Sequence, residues 1–233
     1  MRDAPIFGRS VSTEGSVCTA YATELGDDDV GLVRLFADGY PARSRLQRST
    51  LRRAASRYAA HGWPVIPGAC LAGMRFTCGL GCQTVSVHPA MEPWEAHATT
   101  DVALVAAIWR RRPYSVLLAT GVAFDVLDVP AYIGAGAARA VRGPVAVTPT
   151  GRWMFLVRAG AQLRPELALH HDVVLHGRHS WIPAPPVRTP LGRVRWSVAP
   201  QETDWRLPEP ARVQEALLGT SLGNMSPGEA RLA

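Results

Sequence analysis

The chain has 233 residues, with 25 basic and 19 acidic side chains and a formal charge of +6. A hydrophobic fraction of 47% against 19% charged residues excludes a chain disordered throughout and suits one domain, or one with a short extra lobe. The most apolar run, Val102 to Trp109, is far short of the ~20 residues a spanning helix needs, and Met1 to Ser16 lacks the apolar stretch of a secretory signal, so a cytoplasmic protein is expected.

Every basic residue is an arginine, and Asn224 is the single asparagine. A gene rich in G and C gives such a chain, so part of the arginine count is compositional. A pI near 9.7 still favours contact with phosphate.

Residues 1–26 show no period and read as a loose tail. Asp27, Asp28 and Asp29 precede Val30, Leu32, Val33, Leu35 and Phe36, which predicts a short helix with acids at its positive end. Leu46 to His61 reads as a helix, with Leu51, Ala54, Ala55 and Tyr58 on one face. Arg43, Arg45, Arg48, Arg52, Arg53 and Arg57 lie in or beside it without an acid, forming either a solvated face or a phosphate-facing surface. Trp63 to Pro67 reads as a strand and Ala69 to Pro93 as a loop. Thr99 and Thr100 offer caps for a helix from Asp101 to Arg112, which Pro113 stops.

Val116 to Ala119 and Val122 to Val129 read as strands, and Pro130 to Val141 as an Ala-rich helix. Val145–Thr148 and Arg152–Val157 form a pair around Pro149-Thr150-Gly151, and Val173–Leu175 with Ser180–Ile182 read as another pair. Pro183 to Pro190 is expected to end the packed region, Leu207 to Pro210 to be a linker, and Ala211 to Leu218 a last helix. Strands paired in sequence indicate an α+β fold. The expected division is a tail at 1–45, a domain at 46–206 with an insert at 69–93, and a linker and helix at 207–233.

Cys70, Cys78, Cys82 and His88 have the spacing C-x7-C-x3-C-x5-H. Four such ligands suit a closed tetrahedral Zn²⁺ site, and the competing reading is buried cysteines beside a surface histidine. Asp125 and Asp128 share one apolar strand, where carboxylates are costly to bury. Period 2 sends them to opposite faces. Asp128 and Asp172 on adjacent strands could share a metal, or serve as partners for arginines. His170, His171, His176 and His179 fit no ligand spacing and read as surface histidines. Gly134 and Gly136 are only a weak signal, and no phosphate-cradling glycine loop is found.

Several segments together resemble the prim-pol domain, the bifunctional DNA primase/polymerase N-terminal domain of the archaeo-eukaryotic primase superfamily. They are AASRYAAHGWPVIP (54–67), CGLGCQTVSVHP (78–89), ATTDVALVAAIWRRRPYSVLLATG (98–121), VAVTPTGRWMFLV (145–157) and APP (184–186). The resemblance implies a primase-type palm sheet with flanking helices and a zinc-bearing insert. It also implies template-directed nucleotidyl transfer with Mg²⁺ or Mn²⁺.

Asp128 matches the first acid of the family's Asp-x-Asp and Asp172 its later acid. Thr148, Gly151 and Arg152 match the nucleotide-contacting turn. Pro130 stands at the second acid, Trp153 at the phosphate-contacting histidine, and Cys70 would take the place of an absent cysteine among the zinc ligands. DNA or RNA, nucleoside triphosphates and a separate helicase or replication partner are implied, without a membrane. Two classes follow: a primase/polymerase using Asp128 and Asp172, or a catalytically decayed relative that binds nucleic acid or a protein. In the second, Arg48, Arg52, Arg57, Arg110, Arg111 and Arg112 would meet phosphates. A zinc-stabilised protein-interaction module fits the same residues.

Overall fold

A computed structural model describes residues 42–78, 84 and 86–223. The expected helix after Asp29, Cys18 and Cys82 lie outside them. Helix α1 (Ala42–Ala60) buries Leu51, Ala55 and Tyr58, the face that the 3.6-residue period marks. Strand β1 (Val65–Gly68) follows and is buried throughout.

The segment expected as a loop is in part a hairpin. Strands β2 (Cys70–Ala72) and β3 (Arg75–Thr77) pair antiparallel around Gly73 and Met74. A two-residue turn containing glycine is a hairpin signal, and Phe76 anchors the hairpin at 5% exposure.

Helix α2 (Val102–Arg111) is capped by Asp101 rather than by the threonines before it. Asp101 Oδ1 accepts from the amides of Ala103 (2.8 Å) and Leu104 (3.1 Å), two of the donors a helix start leaves unpaired. Then come β4 (Ser115–Ala119), β5 (Phe124–Pro130), α3 (Ala131–Ala140), β6 (Val145–Val147), β7 (Arg152–Arg158), α4 (Pro165–Ala168) and β8 (Val174–His176). The chain continues through β9 (Trp181–Pro183), β10 (Arg188–Thr189), β11 (Gly192–Arg193), β12 (Arg195–Val198) and α5 (Pro210–Gly223).

The main sheet has the order β12-β6-β7-β5-β8 and a smaller one β1-β4-β9, all neighbours antiparallel. This is the expected α+β architecture. The expected pairing of 173–175 with 180–182 does not form. β8 joins β5 in the main sheet while β9 joins β4 in the smaller one. Residues 177–180 therefore cross between sheets. Thr120 fixes the crossing, with its Oγ1 donating to the Gly177 carbonyl at 2.6 Å and its amide to that of Ser180 at 3.0 Å. Gly121 has φ +88° and lies so close that a Cβ there would stand 2.3 Å from the Arg178 main chain. Only glycine meets both demands.

Alternation along β5 sorts the two cores. Phe124 and Val126, with Met154, Leu156 and Ala146, face α1, α2 and the smaller sheet, meeting Tyr58, Trp63, Trp109, Val116 and Leu118. Leu127 and Val129, with Phe155 and Val157, face α3 and α5, meeting Ile133, Ala137, Val213 and Leu217. Gly134 allows α3 to press on β7, since a Cβ there would lie 2.5 Å from that of Trp153.

The chain after Pro183 does not leave the packed region. Ala184 and Val187 are fully buried, and β12 completes the main sheet. The segment read as a linker is packed as well, with the Arg158 amide donating to the Pro208 carbonyl at 3.1 Å. Trp196 Nε1 donates to the Tyr58 hydroxyl (3.2 Å), which donates to the Pro185 carbonyl (2.5 Å). Burial pushes that hydroxyl well above its usual titration range, so it stays a neutral donor. Among the described residues no helix is long and apolar enough to cross a membrane.

Candidate nucleotide and nucleic-acid site

Strand β5 carries both acids, and the pleat separates them as its period requires. Asp125 lies on the α3–α5 side at 2% exposure. Its Oδ2 accepts from the Ala161 amide at 2.7 Å, while Oδ1 has no hydrogen-bond partner among the described residues. Asp128 lies on the other face, that of Phe124 and Val126.

The register explains what Asp128 meets. It sits opposite Met154 on β7 and Val174 on β8. Its diagonal neighbours on the same face are therefore Arg152 and His176, within reach of long side chains. Arg152 Nε donates to Asp128 Oδ1 at 2.8 Å. Arg152 Nη2 donates to the main-chain carbonyls of Asp128 (2.9 Å) and Asp172 (2.8 Å). His176 Nε2 lies 3.4 Å from Asp128 Oδ2, and its Nδ1 lies 2.9 Å from Ser180 Oγ. The Arg152 and Asp128 side chains are 28% and 16% exposed, so the pair is only partly wet and stronger than a surface ion pair.

Each expected site residue thus has a place. Asp128 is on β5, paired with Arg152. Asp172 lies in the turn before β8, exposed, and meets Arg152 through its carbonyl. Thr148 Oγ1 accepts from the Arg152 amide at 3.0 Å, and Gly151 makes the turn between β6 and β7. Arg152, expected to face a nucleotide, is held against Asp128. His176, expected at the surface, belongs to this cluster. Only the cross-strand register reveals it, and a sequence does not print register.

The insert brings three candidate ligands onto neighbouring stretches of chain. Cys70 lies on β2 opposite Thr77, and buried Cys78 follows directly. The Ala69 amide donates to the His88 carbonyl at 2.7 Å. His88 Nδ1 bonds the Ser86 carbonyl at 2.8 Å, so it carries the proton and Nε2 the lone pair. That tautomer is the one a metal-binding histidine holds in this setting. Burial pushes the Cys70 thiol up to about 11, against a weaker downward pull from Arg112. Among the described residues no three His, Cys, Asp or Glu side chains converge, Cys70, Cys78 and His88 included.

A family model for the bifunctional DNA primase/polymerase N-terminal domain, Prim-Pol, matches residues 55–212. The chain belongs to the Prim-Pol family. No curated protein and no solved structure matches it. The Prim-Pol match runs from within α1 to the start of α5 and spans both sheets, the insert and the Asp128 cluster.

Two-metal chemistry needs carboxylate oxygens left open to a hard cation. Here Arg152 occupies one oxygen of Asp128, His176 faces the other, and Asp125 points to the opposite face. The side chains of this cluster do not fit a pair of Mg²⁺ or Mn²⁺ ions.

A cavity of about 880 Å³ lies elsewhere. Arg142, Arg158, Glu209, Arg212 and Glu215 line it, and Arg158 is ion-paired with Glu209. The candidate phosphate contacts are on α1 and at the end of α2. Arg52, Arg57, Arg110, Arg111 and Arg112 are exposed and Arg48 is half-buried.

Proposed function

We propose that this Prim-Pol protein binds nucleic acid and nucleoside triphosphates on a primase-type fold and has lost metal-dependent nucleotidyl transfer at Asp128. The observation that carries this reading is the Asp128–Arg152 ion pair. A guanidinium supplies the positive charge that metal ions supply in phosphoryl-transfer sites, but it has a fixed hydrogen-bonding direction and no open coordination position for a 3′-hydroxyl. Pro130 adds no ligand two residues further along β5. Substrate recognition would then rest on the basic helices and the turn at Thr148 to Arg152.

Primer extension with purified protein tests the reading, using primed template, dNTPs or NTPs, Mg²⁺ or Mn²⁺, and Asp128→Ala as control. The expected result is no incorporation together with DNA retention that weakens as salt rises. Incorporation abolished by Asp128→Ala would make the protein a primase/polymerase and overturn the decayed reading.

A structural zinc at the insert is part of the same proposal, held by Cys70, Cys78, Cys82 and His88. The His88 tautomer and the adjacency of residues 69 and 88 support it. Elemental analysis should find one zinc per chain, lost in Cys78→Ser; a metal content unchanged by that substitution would remove zinc from the proposal.

A further inference from the structure

Helices α1 and α2 pack against one another, and a cavity of about 230 Å³ opens where they meet. Arg45, Arg48, Ser49 and Arg52 line it from α1, and Trp109 and Arg110 from α2. Positions 45, 48, 49 and 52 are i, i+3, i+4 and i+7, so they form one stripe along α1. Trp109 is fully buried and forms the floor, with its Nε1 committed to the Tyr114 carbonyl at 2.8 Å.

Among the described residues no acid lines this cavity, and neither helix contains one. Among the described residues none of the four arginines is in an ion pair. Arg110 near the C-terminus of α2 suits that helix's dipole. Arg45 does not, because it sits in the first turn of α1, where the dipole repels cations. Among the described residues no carboxylate offsets these gathered like charges, which is the setting an anion would fill.

We propose that this cavity seats backbone phosphates of a nucleic-acid strand, a site separate from the Asp128 cluster. The inference rests on the nucleic-acid reading above and gives it an address. Size decides between sources of phosphate. Pockets that engulf a whole small ligand run from about 300 to 1,000 Å³, so this one has room for phosphate groups but not for a nucleotide with its base. A strand can place phosphates here and keep its sugars and bases outside. Guanidinium forks suit the task because they bind phosphate oxygens two at a time.

The test measures single-stranded DNA affinity over a salt series for the full chain, for Arg48→Gln/Arg52→Gln, and for a charge-matched control, Arg142→Gln/Arg212→Gln. Each phosphate contact on a single strand contributes about 0.7 to the slope of log affinity against log salt. The cavity variant should lose about 1.4 in slope and the control much less. Arg48→Lys/Arg52→Lys keeps the charge and should retain most of the slope, which a purely structural role for the arginines would not require. Circular dichroism confirms that each variant is folded.

Failure of the wild-type chain to retain DNA would overturn the nucleic-acid reading itself. Normal wild-type binding with an unchanged slope in the cavity variant would overturn this site alone. Saturable binding of inorganic phosphate that is lost in the variant while the DNA slope stays unchanged would assign the cavity to free phosphate and overturn the strand.

Discussion

On the main sheet, Arg152 faces the carboxylate of Asp128 at 2.8 Å; at the α1–α2 corner, four arginines share a cavity that no acid among the described residues lines. The cavity beside Pro208 lies between these cases, since its Arg158 is paired with Glu209. The same side chain therefore serves two purposes. Paired, it closes a carboxylate against other ligands and ties β7 to β5 and to the turn before β8. Unpaired, it leaves a positive potential for something from outside. Net charge alone would have treated these arginines as equivalent.

Removing the acid from the paired site should have the largest effect. Asp128→Ala leaves a partly buried guanidinium without its counter-charge. A loss of about 2–3 kcal/mol is expected, below the fully buried limit because solvent reaches Arg152. Calorimetry should show the midpoint fall by about 5–10 °C. A midpoint within 1 °C or so of wild type would place Arg152 among ordinary surface arginines.

Salt should separate the two regions next. Between about 50 and 200 mM, three phosphate contacts on a single strand imply a loss of DNA affinity of about 20-fold. The unfolding midpoint should barely move, because partly buried pairs are weakly screened. Parallel losses in both would erase the distinction.

The reverse substitution is the quiet one. Arg48→Gln/Arg52→Gln should change stability by no more than about 0.5 kcal/mol in either direction by chemical denaturation, since among the described residues these groups are in no ion pair. A large loss would mean that they brace the helix pair instead.

The smallest effect belongs to an exposed pair. Glu166 titrates below its ordinary 4.5, first through a hydrogen bond from its own main-chain amide and then through Arg164. A lowered folded pKa stabilises above the unfolded value, so the contribution is present above about pH 4.5 and fades as pH falls through the folded pKa. Melting curves of wild type and Glu166→Gln should differ slightly at neutral pH and merge in acid. A difference that grew in acid would reverse the sign.

Much of this was legible in the sequence because it depends on local period. The helix face at Leu51, Ala55 and Tyr58, the hairpin around Pro149 to Gly151, and the opposite facing of Asp125 and Asp128 all follow from spacings of 3.6 or 2. The family's ordered segments were legible too, and the matched model covers the same stretch. What escaped depends on which strands become neighbours. Residues 173–175 and 180–182 have the spacing of a hairpin, yet each found a better partner in a different sheet. His176 looked like a surface residue until β8 lay beside β5. Arg152 was expected to face a nucleotide, and one diagonal step across β5 and β7 gave it to Asp128. The glycines at 134 and 136, only a weak signal in the sequence, are where α3 meets Trp153 and Thr220.

The crossing at Gly177 to Ser180 has a mechanical consequence. It joins β8, at one edge of the main sheet, to β9, at one edge of the smaller sheet. At the main sheet's other edge, Trp196 of β12 is bonded to Tyr58 of α1. The sandwich is thus stapled along both margins, and prising its layers apart would tear either the Thr120 contacts or the aromatic seam.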